Sequence, residues 1–198
     1  MDLILSTRNP SKANQIRAVF DGSFISIRSL DEADIEGEAI EDGSTLEENA
    51  LKKACFAWER SNKWSVADDT GLFIDALNGE PGIFSARWAG EHASTEEIMQ
   101  YTLERLRDVP PEKRTGAFRT YAVLVSPLGN SMTFVGEVRG RLLEAPRVPC
   151  QPKMPYSAIF VPDGQPKVWA EMSTDEENAI SHRGQAFRKV RAFIEQHA

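Results

Sequence analysis

The 198-residue chain has only two cysteines, Cys55 and Cys150, no Cys-x-x-Cys spacing and just three histidines. That scarcity leaves no ligand set for structural zinc and no disulfide framework. Lysine and arginine number 23 against 30 acidic residues, and the net charge of −7 argues against an extended nucleic-acid-binding surface. A single nucleotide in a local basic pocket is still compatible with that balance. No apolar run reaches the length of a membrane span, and the first nine residues hold Asp2 and only three consecutive apolar residues. Neither a secretory signal nor a membrane partner is expected, and the default location is cytoplasmic. Linkers, internal repeats and low-complexity segments are also missing. What remains is 41% hydrophobic and 27% charged, ordinary for a globular chain long enough to bury a sizeable core. One domain over residues 1–198 is expected.

Helix and strand signals alternate through the first half. Leu3-Ile4-Leu5 reads as a short buried strand. Asn9 then caps a helix with Pro10 at its first position, where the missing N–H costs nothing. A second strand is expected over 24–30, followed by an acidic loop from Asp31 to Gly43. The next helix, to about Arg60, is marked by two capping-box spacings, Ser44/Glu47 and Thr45/Glu48. Strands over 64–68 and 72–76, a Gly/Pro-rich loop and a helix opened by Ser94 and Glu97 follow. A long hairpin over 118–126 and 132–143, a short strand over 156–161 and a final helix after Ser181 complete a mixed α/β pattern.

Chemistry concentrates where elements end. Asp68 and Asp69 stand side by side at the expected end of an apolar strand, followed by Thr70 and Gly71. Two buried carboxylates are costly unless their charge is compensated, and a hard cation such as Mg²⁺ takes carboxylate oxygens while leaving room for waters and phosphates. Turn chemistry alone is the alternative explanation. Ser6-Thr7-Arg8-Asn9-Pro10-Ser11-Lys12 forms a strand-to-helix turn whose free N–H groups, hydroxyls and Lys12 suit an anion, although it lacks the Walker A glycines. Glu41 precedes the second helix, and Lys53 lies one turn beyond Asn49 on that helix. His182 and Arg183 open the last helix, where Ser181 alone would be an ordinary cap.

Five blocks in order resemble one family: Ser6-Thr7-x-Asn9-x-x-Lys12, Glu41-x-Gly43-x-Thr45-x-x-Glu48-Asn49-Ala50-x-x-Lys53-Ala54, Ala67-Asp68-Asp69-Thr70-Gly71-Leu72, residues 81–90 (Pro-Gly-Ile-Phe-Ser-Ala-Arg-Trp-Ala-Gly) and residues 180–186 (Ile-Ser-His-Arg-Gly-Gln-Ala). They are similar to the inosine/xanthosine triphosphate pyrophosphatases, which hydrolyse non-standard purine nucleotides. The resemblance implies an elongated mixed twisted sheet with flanking helices, two lobes around a nucleotide cleft, and a homodimer. It implies Mg²⁺-dependent cleavage of a nucleoside triphosphate to the monophosphate and pyrophosphate. Glu41 and Asp69 would then hold the metal, and Asp69 or Asp68 would orient or deprotonate water. Thr7, Asn9, Lys12 and Lys53 would grip the phosphates, with Thr70 beside the metal. His182 and Arg183 would approach the base or α-phosphate.

The match departs from the family where the base is read. Family members usually carry Gly-Phe-Gly-Tyr-Asp-Pro, whereas this chain has Lys153-Met154-Pro155-Tyr156-Ser157-Ala158. The expected aromatic becomes Met154 and the carboxylate becomes Ser157. Glu177 stands where a lysine is usual, and Arg8 where a glycine is typical. Arg8 could add a cation to the phosphate site or point to solvent. These changes raise the alternative of a relaxed or altered base preference. Two further readings stay open: retained specificity through Tyr156, Trp169 or Met154, and nucleotide binding without catalysis.

Overall fold

A computed structural model describes residues 1–197. Seven strands, β1 (Asp2–Leu5), β2 (Ser26–Ser29), β3 (Ser65–Ile74), β4 (Pro81–Gly82), β5 (Thr115–Val125), β6 (Ser131–Leu142) and β7 (Phe160–Pro162), form one mixed sheet. Their order is β2-β1-β3-β5-β6-β7, with β4 paired to β3. Five helices accompany them: α1 (Pro10–Phe20), α2 (Leu46–Ser61), α3 (Thr95–Arg105), α4 (Thr174–Ile180) and α5 (His182–His197). β1 runs parallel to both β2 and β3. Parallel neighbours need crossovers, and α1 and α2 supply them.

The chain divides into two compact units. The first comprises residues 1–70, 120–136 and everything from Asn178 onward, and the second comprises 71–119 and 137–177. In the first unit, alternate residues of each strand enter different cores, as a period of two requires. Leu3, Leu5 and Val66 pack with Ile16, Val19 and Phe20 of α1 and with Phe187, Val190 and Ile194 of α5. Ala67 packs instead with Ala50 and Ala54 of α2 and with Val123 and Val125. The helix starts follow their capping residues. Asn9 accepts from the N–H groups of Ser11 and Lys12, and the Thr45 hydroxyl accepts from Glu48 N.

In the second unit, Phe118 packs edge-on against Phe160 and Tyr156, while Trp169 stacks on Phe160. Ser94 closes a capping box with Glu97 at the start of α3. Buried Arg114 donates to the carbonyls of Leu106 and Val109 in the turn that follows α3.

Three expectations are corrected. The strands expected over 64–68 and 72–76 are one continuous strand, β3, so the acidic pair lies inside a strand. Turn chemistry loses at Asp-Asp-Thr-Gly because each polar side chain finds partners on its own side of β3. Gly71 is needed there for space, since a Cβ would sit 2.5 Å from the carbonyl oxygen of Gly82 on β4. The strand expected over 156–161 is confined to Phe160–Pro162, because residues 154–159 form turns closed by Ser157 N→Met154 O and Phe160 N→Tyr156 O bonds. Finally, α4 precedes the last helix and was not expected, its acidic first turn (Asp175, Glu176, Glu177) being suited to a helix N-terminus.

Candidate active site

β3 separates the two adjacent carboxylates. Asp68 follows Val66 onto the α1/α5 side, and Asp69 follows Ala67 onto the α2 side. The Asp68 side chain is 1% exposed and is surrounded by cations, with Lys12 Nζ 3.0 Å from Oδ1 and Arg183 Nε 3.3 Å from Oδ2. The Thr70 hydroxyl also donates to Oδ2 at 3.2 Å. Burial pushes this carboxyl's pKa up, but the attraction of Lys12, Arg183 and Lys53 outweighs it and holds the group well below the usual carboxylate range. Burial also lowers the Lys12 ammonium, with Lys53 and Arg183 adding to it against the attraction of Asp68.

Asp69 has a different neighbourhood. Its Oδ1 lies 2.9 Å from Lys53 Nζ, and its Oδ2 accepts from Asn49 Nδ2 at 3.4 Å. The same Lys53 ammonium lies 3.1 Å from Glu41 Oε2. Burial works to lower the Lys53 pKa, but Asp69, Glu41 and Asp68 together raise it, so the group stays charged. Glu41 and Asp69 therefore already share one cation. That donor set fits Mg²⁺, which prefers carboxylate oxygens and fills its remaining positions with water and phosphate. Among the described residues no group of three or more His, Cys, Asp or Glu side chains is placed to hold a metal. Two protein carboxylates are what this site offers.

Beside them opens a cavity of about 180 Å³, lined in part by Thr7, Arg8, Lys12, Glu41 and Lys53. The turn that leads into it differs from the sequence expectation. Its amides are not free: Asn9 N donates to Thr7 Oγ1, while Ser11 N and Lys12 N donate to Asn9 Oδ1. Donors for an anion are left to side chains, chiefly the ammonium groups of Lys12 and Lys53. Arg8 reaches across to the acidic loop. Its guanidinium pairs with Asp31 and donates to the carbonyls of Ile35 (2.8 Å) and Gly37 (2.9 Å). It ties down the segment that leads to Glu41.

His182 and Arg183 are both buried at the start of α5. Arg183 Nη1 donates to Gln15 Oε1 at 2.6 Å while its Nε faces Asp68. His182 Nδ1 lies 2.6 Å from Thr120 Oγ1, and that hydroxyl lies 2.7 Å from Thr70 Oγ1. Burial, then the neighbouring Arg183 charge, keep the His182 pKa well below its ordinary value. β6 comes so close here that a Cβ at Gly136 would sit 1.9 Å from the His182 carbonyl oxygen.

The other four expected residues belong to the second unit. Met154 is half-buried. Tyr156 is buried, and its hydroxyl donates to the Ser85 carbonyl at 2.7 Å. Ser157 accepts from Gln151 N and donates to Met154 O, both at 2.8 Å. Glu177 is buried on α4.

Asn49, Gln15 and Thr120 join this network without having been singled out as site residues. Asn49 bridges Gly43 N and Asp69. The available signal was a polar residue interrupting an apolar pattern: Gln15 beside Ile16, and Thr120 between Phe118 and Ala122.

The model of the Ham1 family matches residues 3–193. A dITP/XTP pyrophosphatase of Geobacter sulfurreducens is 42% identical over 184 residues, covering 93% of this chain and 92% of that one. Among solved structures, the Ham1 protein of Staphylococcus aureus superposes with a TM-score of 0.85 at 31% identity, over 100% of both chains. A HAM1 protein of Coxiella burnetii gives 0.86 at 30% identity over 99% of both.

Proposed function

The chain belongs to the Ham1 family, and on that premise we propose that it hydrolyses non-canonical purine nucleoside triphosphates such as dITP and XTP to the monophosphate and pyrophosphate. The observation that carries this reading is the Lys53 ammonium held between Glu41 and Asp69 at the edge of a cavity that Lys12 also lines. Paired carboxylates facing a polyphosphate make sense only with cations between them.

Glu41 and Asp69 would hold Mg²⁺, which supplies charge neutralisation at the phosphate oxygens. Asp69 is the carboxylate assigned to orient the attacking water, because it is the more open of the pair and shares Lys53, a residue of the cavity wall, with Glu41. Asp68 is enclosed by Lys12, Arg183 and Thr70, so its part is to hold those groups in place. Lys53 and Lys12 bind phosphate oxygens, lowering the cost of the charge that develops in the transition state. Thr7 and the amide NH₂ of Asn9 complete the grip, since the Asn9 side-chain oxygen is committed to capping α1.

A second reading, relaxed base preference, is favoured by the segment 151–157. The polar atoms of Tyr156 and Ser157 are occupied within the second unit. A site that presents no dedicated hydrogen bonds to a base discriminates weakly. Homodimerisation accompanies the family reading, and sedimentation velocity tests it. No helix among the described residues is long and apolar enough to cross a membrane.

The test is pyrophosphate release from dITP, XTP and dATP with Mg²⁺, with products separated by chromatography. Monophosphate and pyrophosphate are expected, and accumulation of a diphosphate would overturn the reaction assignment. A preference for dITP over dATP beyond about a thousandfold, roughly 4 kcal/mol, would overturn the relaxed reading.

A further inference from the structure

We infer that the hydroxyls of Thr70 and Thr120 lock His182 in its Nδ1–H tautomer, which makes Thr120 a positioning residue and fixes Nε2 as a hydrogen-bond acceptor. The argument is a count of hydrogens along one buried chain: Asp68 Oδ2, Thr70 Oγ1, Thr120 Oγ1, His182 Nδ1, with successive separations of 3.2, 2.7 and 2.6 Å. Asp68 lies against two cations and is an acceptor only. Thr70 has one hydrogen and gives it to Asp68. Thr120 must then donate its own single hydrogen to Thr70, since two lone pairs cannot face each other at 2.7 Å. With that hydrogen committed, the Thr120 oxygen can only accept, and the donor opposite it is His182 Nδ1–H. Thr120 is 0% exposed and His182 5% exposed, so water does not compete for these positions. The buried setting beside Arg183 also keeps the ring neutral.

The consequence rests on the proposed reaction. An acceptor nitrogen cannot donate to a phosphate oxygen; it pairs with an N–H or O–H group. His182 Nε2 therefore takes no part in gripping the phosphates.

The test is a long-range ¹H–¹⁵N correlation spectrum of the ¹⁵N-labelled protein near neutral pH. With only three histidines, the His182 signals are assigned by their loss in His182→Gln. The expected pattern has Nδ1 protonated and Nε2 unprotonated. In Thr120→Val, which removes the hydroxyl at similar shape, that pattern should give way to a mixture of tautomers, and Thr120→Ser should restore it. Kinetically, Thr120→Val should leave inhibition by inorganic tripolyphosphate unchanged. A wild-type spectrum with Nε2 protonated overturns the inference, whether or not the variants fold. An unaltered tautomer in Thr120→Val, or weakened tripolyphosphate inhibition, overturns it as well. Lack of turnover on dITP alongside the expected spectrum would instead refute the reaction and leave the tautomer standing.

Discussion

The two sides of β3 hold neighbouring carboxylates in opposite conditions. On the α1/α5 side, Asp68 is sealed in and bonded to Lys12, Arg183 and Thr70. On the α2 side, Asp69 keeps 16% of its side chain exposed and shares Lys53 with Glu41. One peptide unit separates them in sequence, but the strand's pleat sends them to different neighbourhoods. A closed charge network fixes architecture, and an open one beside a cavity can exchange partners with a ligand. Adjacent carboxylates are therefore not a chemical pair here.

The largest effect should come from the open side. Asp69→Asn is expected to lower kcat about a thousandfold or more, the scale for removing a central electrostatic group, measured by pyrophosphate release from dITP. Lys53→Met comes next, with an expected loss near a hundredfold in kcat/KM, because Glu41 and Asp69 lose the cation between them and the phosphates lose a partner. A smaller loss than in an Arg8 variant would break the assignment of the α2 side as the reacting one.

The sealed side should report through pH. The His182 pKa lies well below its unfolded value of about 6.5. Above that pH both states are neutral and stability is complete. As pH falls below it, the unfolded chain takes up a proton that the folded chain refuses, and stability is lost. Urea unfolding at pH 7 and pH 5 should differ by up to about 2 kcal/mol, and His182→Gln should flatten that slope. The corresponding loss from Asp68 falls at lower pH, below about 4, because its folded pKa is depressed. The smallest effect concerns Arg8. Its bonds to Asp31, Ile35 and Gly37 are partly exposed, so Arg8→Gly should cost less than about 1 kcal/mol in stability. Faster amide hydrogen exchange over residues 31–41 would sharpen the picture of Arg8 as a clasp on the segment carrying Glu41.

Local signals carried most of the fold. Asn9 with Pro10, Thr45 with Glu48 and Ser94 with Glu97 each open a helix, because caps act within one turn. The expected site residues Thr7, Arg8, Asn9, Lys12, Glu41, Lys53, Asp68, Asp69, Thr70, His182 and Arg183 all fall in the first unit. What escaped was decided by distant partners. Asp-Asp-Thr-Gly reads locally as a turn and becomes strand interior only because α1, α2 and α5 supply counter-charges and donors. Gln15 meets Arg183 across 168 positions of chain, and Thr120 meets His182 across 62. No window of sequence contains those contacts. The Tyr156 hydroxyl, committed to Ser85 across 71 positions, was hidden for the same reason.

The division between the two sides of β3 is tested most directly by melting Asp68→Asn and Asp69→Asn side by side. Asp68→Asn leaves Lys12 and Arg183 buried beside a neutral group, which should cost about 3–5 kcal/mol and lower Tm by roughly 6–15 °C. Asp69→Asn leaves Lys53 paired with Glu41, so it should cost no more than about 1 kcal/mol and melt within roughly 4 °C of the wild type. An Asp69→Asn protein destabilised as far as Asp68→Asn would contradict the account.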